Sequence, residues 1–168
     1  MPRGHGRTPG WSWSTRPAGP IHPRLLDRAR RILGGLRARG ARPGDAVLLC
    51  GLPLDDLFPS FWACALGGLR PAMIADHVEE GSPTAERFSH TWSAVQEPVV
   101  LAGPSTARSL AGFAQDVRAL TADECTRHEP ARAHEGERQD DIVLSSGSTG
   151  APKAIPLTER ALVLFAAS

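Results

Sequence analysis

Apolar side chains fall at helical spacing early in the chain: Leu25, Ala29, Ile32, Leu33 and Leu36 share one face of a segment whose arginines, Arg24, Arg28, Arg31 and Arg37, form a solvated complement. The run Ala46-Val47-Leu48-Leu49 is continuous rather than periodic, and it follows the turn-forming stretch Gly40-Ala41-Arg42-Pro43-Gly44-Asp45. That combination reads as a helix, a turn and a buried strand. Helical spacing returns with Leu57, Phe58, Phe61, Trp62, Ala65, Leu66 and Leu69. Carried along the chain, the pattern predicts strands near 46–50, 71–75, 98–102, 117–120 and 141–145. It predicts helices near 23–39, 56–68, 84–95, 105–115 and 158–168. Gly81-Ser82-Pro83 and Gly103-Pro104 punctuate the connections. Alternation of this kind implies an α/β fold, with crossover units and a mainly parallel sheet covered by helices. Residues Thr121 to Asp140 are charged and nearly devoid of large apolar groups, so they read as an exposed loop. Residues 1–20, where Trp11-Ser12-Trp13 stands among Pro, Gly and Arg, read as a poorly ordered leader whose tryptophans could dock on the body formed by residues 21–168.

Composition narrows the class. The chain has 168 residues, 41% of them hydrophobic, with net charge +1, which suits one ordinary domain. Arginines crowd the first forty-two residues, where Asp27 is the one acid, yet the overall balance does not suggest nucleic acid. No apolar run is long enough to span a bilayer, and Pro, Gly, Ser and Arg interrupt the N-terminus too often for a signal peptide. A cytoplasmic location is the expectation. Cys50, Cys64 and Cys125 are isolated, which argues against zinc and against a disulfide framework; Cys50 and Cys64 are expected to be small buried hydrophobes. The histidines are scattered, with His128 and His134 expected at the surface.

The chemically specific stretch is Leu144-Ser145-Ser146-Gly147-Ser148-Thr149-Gly150-Ala151-Pro152-Lys153-Ala154-Ile155. Glycines let the backbone curl so that N–H groups and hydroxyls converge on anionic oxygens. Lys153, the sole lysine beside eighteen arginines, would add a compact point charge. An isolated Gly/Ser stretch can equally be a surface linker. The ordinary P-loop does not fit, because Ala151 and Pro152 separate Gly150 from Lys153 and Ala154 stands where a magnesium-binding hydroxyl is required.

The string resembles the phosphate-binding signature of the adenylate-forming (AMP-binding) superfamily, which includes acyl-CoA synthetases, peptide-synthetase adenylation domains and luciferases. Its usual form is Thr-Ser-Gly-Ser/Thr-Thr-Gly-x-Pro-Lys-Gly-Val. Residues Ser146 through Lys153 match; Ser145 replaces Thr and keeps the hydroxyl, and Ala154 replaces Gly, which requires a negative φ there. Leu157-Thr158-Glu159-Arg160-Ala161-Leu162 follows the family's Leu-Thr-His-Arg-Asn-Leu pattern with Glu159 in place of the histidine. Upstream, the helix, Pro43-Gly44-Asp45 turn and strand also resemble the family, as does Ala63-Cys64-Ala65-Leu66-Gly67-Gly68-Leu69-Arg70-Pro71, and the segments stand in the family's order.

The resemblance implies an ATP-dependent ligase that activates a carboxylate as acyl-AMP with release of pyrophosphate, usually before thioester formation. ATP and Mg2+ are the implied cofactors, and a carboxylic or amino acid and the thiol of CoA or a carrier protein are the implied partners. Ser145, Ser146, Gly147, Ser148, Thr149, Gly150 and Lys153 would hold the β- and γ-phosphates; no catalytic or metal-binding residue is assigned. The resemblance covers an incomplete N-terminal subdomain, so the chain is expected to be inactive alone, with adenine-binding and catalytic-lysine regions elsewhere. The stretch Ala161 to Ser168 reads as an apolar helical start without a closing signal, a helix that expects a partner. The alternatives are a non-catalytic remnant or interaction module of the same fold, or one half of a split enzyme completed by a C-terminal chain.

Overall fold

The computed structural model describes residues 22–96, 98–114 and 116–135, together with the backbone of two strands at 141–145 and 153–157. The order is α1 (Pro23–Ala38), β1 (Ala46–Cys50), α2 (Leu54–Gly67), β2 (Arg70–Ile74), α3 (Pro83–Ala94), β3 (Val99–Ala102), α4 (Pro104–Phe113), β4 (Ala119–Leu120), α5 (Ala122–Thr126), β5 (Asp141–Ser145) and β6 (Lys153–Leu157).

Strands β1 to β4 form one parallel sheet in the order β2-β1-β3-β4. Central β1 is buried at every position, which is why its sequence is a continuous apolar run. Its side chains still alternate between two cores. Val47 and Leu49 join Ile32, Leu33, Leu36, Ala63, Cys64 and Leu101, while Leu48 and Cys50 join Phe88, Val78, Val100 and Leu110. Helices α1, α2 and α5 therefore cover one face, and α3 and α4 contribute to the other. The entry turn into β1 is set by Pro43 and by Gly44 at φ 91°, with Asp45 N donating to Arg42 O at 2.9 Å and Arg42 N donating to Asp45 Oδ2 at 2.8 Å. A positive φ at the position after Pro is the geometry that favours glycine in a type II turn.

Two expectations are corrected. The stretch after Thr121 is not wholly an exposed loop. Thr121 and Glu124 form a capping box that starts α5, and Ala122 and Cys125 enter the core against α1. Beyond α5 the chain stays attached, since Ala131 N donates to Arg30 O and His134 N to Leu66 O. His134 is half-buried over Gly68 rather than exposed, whereas His128 is exposed. The second correction concerns β5, which pairs antiparallel with β6, a strand the sequence pattern did not predict, in a hairpin separate from the parallel sheet. The hairpin packs against β2. The expected helix at 158–168 and the leader at 1–20 lie outside the described residues.

Candidate functional site

The hairpin frames the signature loop. Its register pairs Asp141 with Leu157, Ile142 with Pro156, Val143 with Ile155, Leu144 with Ala154 and Ser145 with Lys153. Ser145 and Lys153, the described residues of the signature on either side of 146–152, are thus the final register pair, and residues 146–152 connect them. Ser146, Gly147, Ser148, Thr149 and Gly150 themselves lie outside the described residues. Ala154 stands within β6, in extended backbone that any residue adopts, so a methyl group in place of the family's glycine is compatible with the strand. Pro156 is tolerated because, among the described residues, β6 has a strand partner on one side only.

The carboxyl end of the parallel sheet is the other place where a ligand could sit. Chain order reverses between β1 and β3, and in open α/β sheets the crevice at that point is the usual ligand site. Here the crevice is closed. Gly51 follows β1 with φ 52°, and Gly103 follows β3 so closely that a Cβ on it would overlap the Gly51 carbonyl oxygen. Thr106, fully buried on α4, packs over Gly51 and shares a 2.8 Å hydrogen bond with His77 Nδ1 from the loop after β2.

Among the described residues a cleft lies one strand further out. It has a volume of about 410 Å3 and is lined by Leu49 and Leu52 at the end of β1, Leu54 and Leu57 on α2, Met73 to Asp76 at the end of β2, and Arg87 and Thr91 on α3. Asp76 and Arg87 form a loose ion pair at 3.9 Å. Thr91 is 3% exposed, and its hydroxyl has no hydrogen-bond partner among the described residues. None of these polar groups was singled out from the sequence, because a threonine on the buried face of an amphipathic helix leaves no distinguishing pattern.

Electrostatics set the state of the remaining groups. The Arg28 guanidinium donates to Asp56 and, at 3.3 Å, to Asp123, which raises its pKa and ties α1 to α2 and α5. Burial pushes the Cys50 thiol up, and burial with the nearby Glu124 charge pushes Cys125 up to about 12, so neither is a ready nucleophile. Among the described residues no group of three His, Cys, Asp or Glu could hold a metal ion, and no helix is long and apolar enough to cross a membrane.

Alternating helices over a parallel four-stranded sheet match part of an adenylate-forming fold. The chain belongs to the AMP-binding enzyme family, which matches residues 22–168. Solved structures agree. The adenylation domain of a keto acid-selecting NRPS module bound to keto acyl adenylate superposes with TM-score 0.72 at 27% identity over 84% of this chain and 27% of that one. A fatty acyl-adenylate ligase from L. pneumophila, in complex with acyl adenylate and pyrophosphate, gives TM-score 0.60 at 25% identity, covering 79% of this chain and 24% of that one. The A-PCP structure of McyG with phenylalanyl-adenylate gives 0.71 at 22% identity, covering 80% and 26%, and supports the fold alone. The chain spans about a quarter of the length of these solved chains.

Proposed function

We propose that this chain supplies the N-terminal, phosphate-holding part of an ATP-dependent ligase that activates a carboxylate as its acyl-adenylate and releases pyrophosphate. The single observation that carries the reading is the hairpin register, which pairs Ser145 with Lys153 and so closes the ends of a loop whose sequence is Ser/Thr/Gly-rich. Family membership and the solved relatives with acyl adenylates support it.

In this reading residues 21–168 are one structural piece of the adenylation domain. A carboxylate oxygen attacks the α-phosphorus of ATP, the bond to the β-phosphate bridging oxygen breaks, and the electron pair leaves with pyrophosphate. The chain's own contribution is positional and electrostatic. Hydroxyls of Ser145, Ser146, Ser148 and Thr149 and the amides of Gly147 and Gly150 donate to the β- and γ-phosphate oxygens, and the Lys153 ammonium offsets charge on the departing group. Mg2+ would accompany the nucleotide. Glycine at 147 and 150 lets the backbone approach the phosphates, and Pro152 stiffens the exit into β6. Transfer of the acyl group to a CoA or carrier-protein thiol is the second step the family reading adds, and a cytoplasmic setting suits it.

The test is Lys153→Ala in the natural gene product, followed by ATP–pyrophosphate exchange with a panel of carboxylic and amino acids. A large loss of exchange with unchanged thermal unfolding is expected. Exchange at the unaltered rate would remove Lys153 from the phosphate site.

A further inference from the structure

The cleft between the carboxyl ends of β1 and β2 joins apolar walls to two opposite charges. Leu49, Leu52, Leu57 and Met73 supply the walls, and Asp76 and Arg87 are the charged residues that line it. Its volume, about 410 Å3, lies in the range of small-ligand sites, which are mostly apolar with a few polar groups that fix orientation. The Asp76 and Arg87 side chains are 72% and 39% exposed, so the charges stand toward solvent and the leucines behind them.

The two charges are near one another without being engaged. Their closest approach is 3.9 Å, beyond a hydrogen bond, and neither side chain has another ion-pair or hydrogen-bond partner among the described residues. An exposed pair of this kind contributes little, and the guanidinium donors and carboxylate lone pairs keep their capacity for a ligand. The backbone beneath them is held in place. Asp76 follows Ile74, whose carbonyl accepts from Gly51 N at 2.9 Å, and Arg87 stands on α3, whose start is fixed by Ser82 Oγ accepting from Ala85 N at 3.1 Å.

This pair of charges selects the head group of an occupant. A plain carboxylate on Arg87 would face Asp76, and a plain amine on Asp76 would face Arg87, each a like-charge contact. A zwitterion meets both charges at once. We propose that the cleft binds a free apolar α-amino acid, its carboxylate on Arg87, its ammonium on Asp76 and its side chain among Leu49, Leu52, Leu57 and Met73. The site is argued from these residues alone and does not rest on the phosphate-holding role of the hairpin.

The chain has two methionines, Met1 and Met73, so the whole chain labelled with 13C at the methionine methyl carbon gives one signal inside the cleft and one at the N-terminus. Met73→Leu assigns them. Titration with L-phenylalanine is expected to shift the Met73 signal saturably while Met1 stays in place. Binding should weaken by about tenfold or more in Arg87→Gln and in Asp76→Asn, each of which removes one charged contact. It should weaken similarly on the unaltered chain for 3-phenylpropanoate, which lacks the ammonium, and for 2-phenylethylamine, which lacks the carboxylate. Because the analogues probe the head group without any substitution, the result stands whether or not a variant folds. A Met73 signal indifferent to L-phenylalanine, equal binding of either analogue, or undiminished binding in either folded variant would each overturn the proposal.

Discussion

Ser145 and Lys153 are register partners at the end of the β5–β6 hairpin, so Lys153 opens a strand rather than a helix. This separates the signature from the P-loop, where a helix N-terminus supplies the anion field. In the proposed phosphate-holding role, Lys153 would carry a larger share of the electrostatics than it would beside a helix dipole, because it stands in a strand.

The guanidinium of Arg28 joins three helices, with Asp56 and Asp123 as its acceptors. Asp56 is the better shielded partner, its side chain 16% exposed against 76% for Asp123. Arg28→Ala should therefore destabilise the fold by about 1 kcal/mol, and Asp123→Ala by less, since exposed pairs contribute little. Chemical denaturation of the two variants checks the order, and an equal effect would contradict it.

Gly35 lies where α1 meets α5. A Cβ there would stand 2.5 Å from Cys125 Cα and 2.6 Å from its Cβ, so backbone and not a flexible tip must yield. Alanine is the better helix former by about 1 kcal/mol, but overpacking of this kind costs roughly 1–3 kcal/mol. The expected sign for Gly35→Ala is destabilisation, read as a lower Tm; a higher Tm would show that α5 gives way freely.

The capping box makes one pH dependence explicit. Hydrogen bonds from the Thr121 backbone and hydroxyl hold the Glu124 carboxyl below its ordinary value of 4.5. A depressed carboxylate pKa stabilises the folded state above the unfolded value, and that contribution is lost as the pH falls through the folded value. Thr121→Ala should lower stability by about 1 kcal/mol at neutral pH, as for other lost caps. The gap between variant and parent should narrow below pH 4.5, and denaturation curves at the two pH values measure it.

Cys50 and Cys125 are buried, with their thiols shifted upward. Neither should react with a thiol reagent in the native chain at mildly alkaline pH, and both should react promptly in denaturant. Mass spectrometry of labelled peptides distinguishes these sites, and fast native labelling of Cys125 would mean that α5 opens readily.

Legibility in the sequence followed the size of the side chains concerned. Strand β1 was plain because all five of its residues are buried and apolar, and α1 because Ile32, Leu33 and Leu36 repeat at helical spacing. Helix α5 was hidden because it contributes only Ala122 and Cys125 to the core, although Thr121 and Glu124 spelled its capping box. Strand β6 was hidden by Pro156, which argues against a strand unless one side is left without a neighbour. Of the proposed phosphate site, the residue types stand in the signature sequence. The pairing of Ser145 with Lys153 does not, since an antiparallel register is a long-range property of the hairpin.

The uniqueness of Lys153 allows a direct test of the central claim, that the 145–153 loop holds phosphate. Chain labelled with 13C at the lysine ε carbon yields one lysine signal, to be followed while magnesium pyrophosphate is titrated in. The account predicts a saturable shift that weakens in Ser145→Ala and is not reproduced by magnesium sulfate. A signal indifferent to pyrophosphate, or one that moves equally with sulfate and in the Ser145→Ala variant, would contradict it.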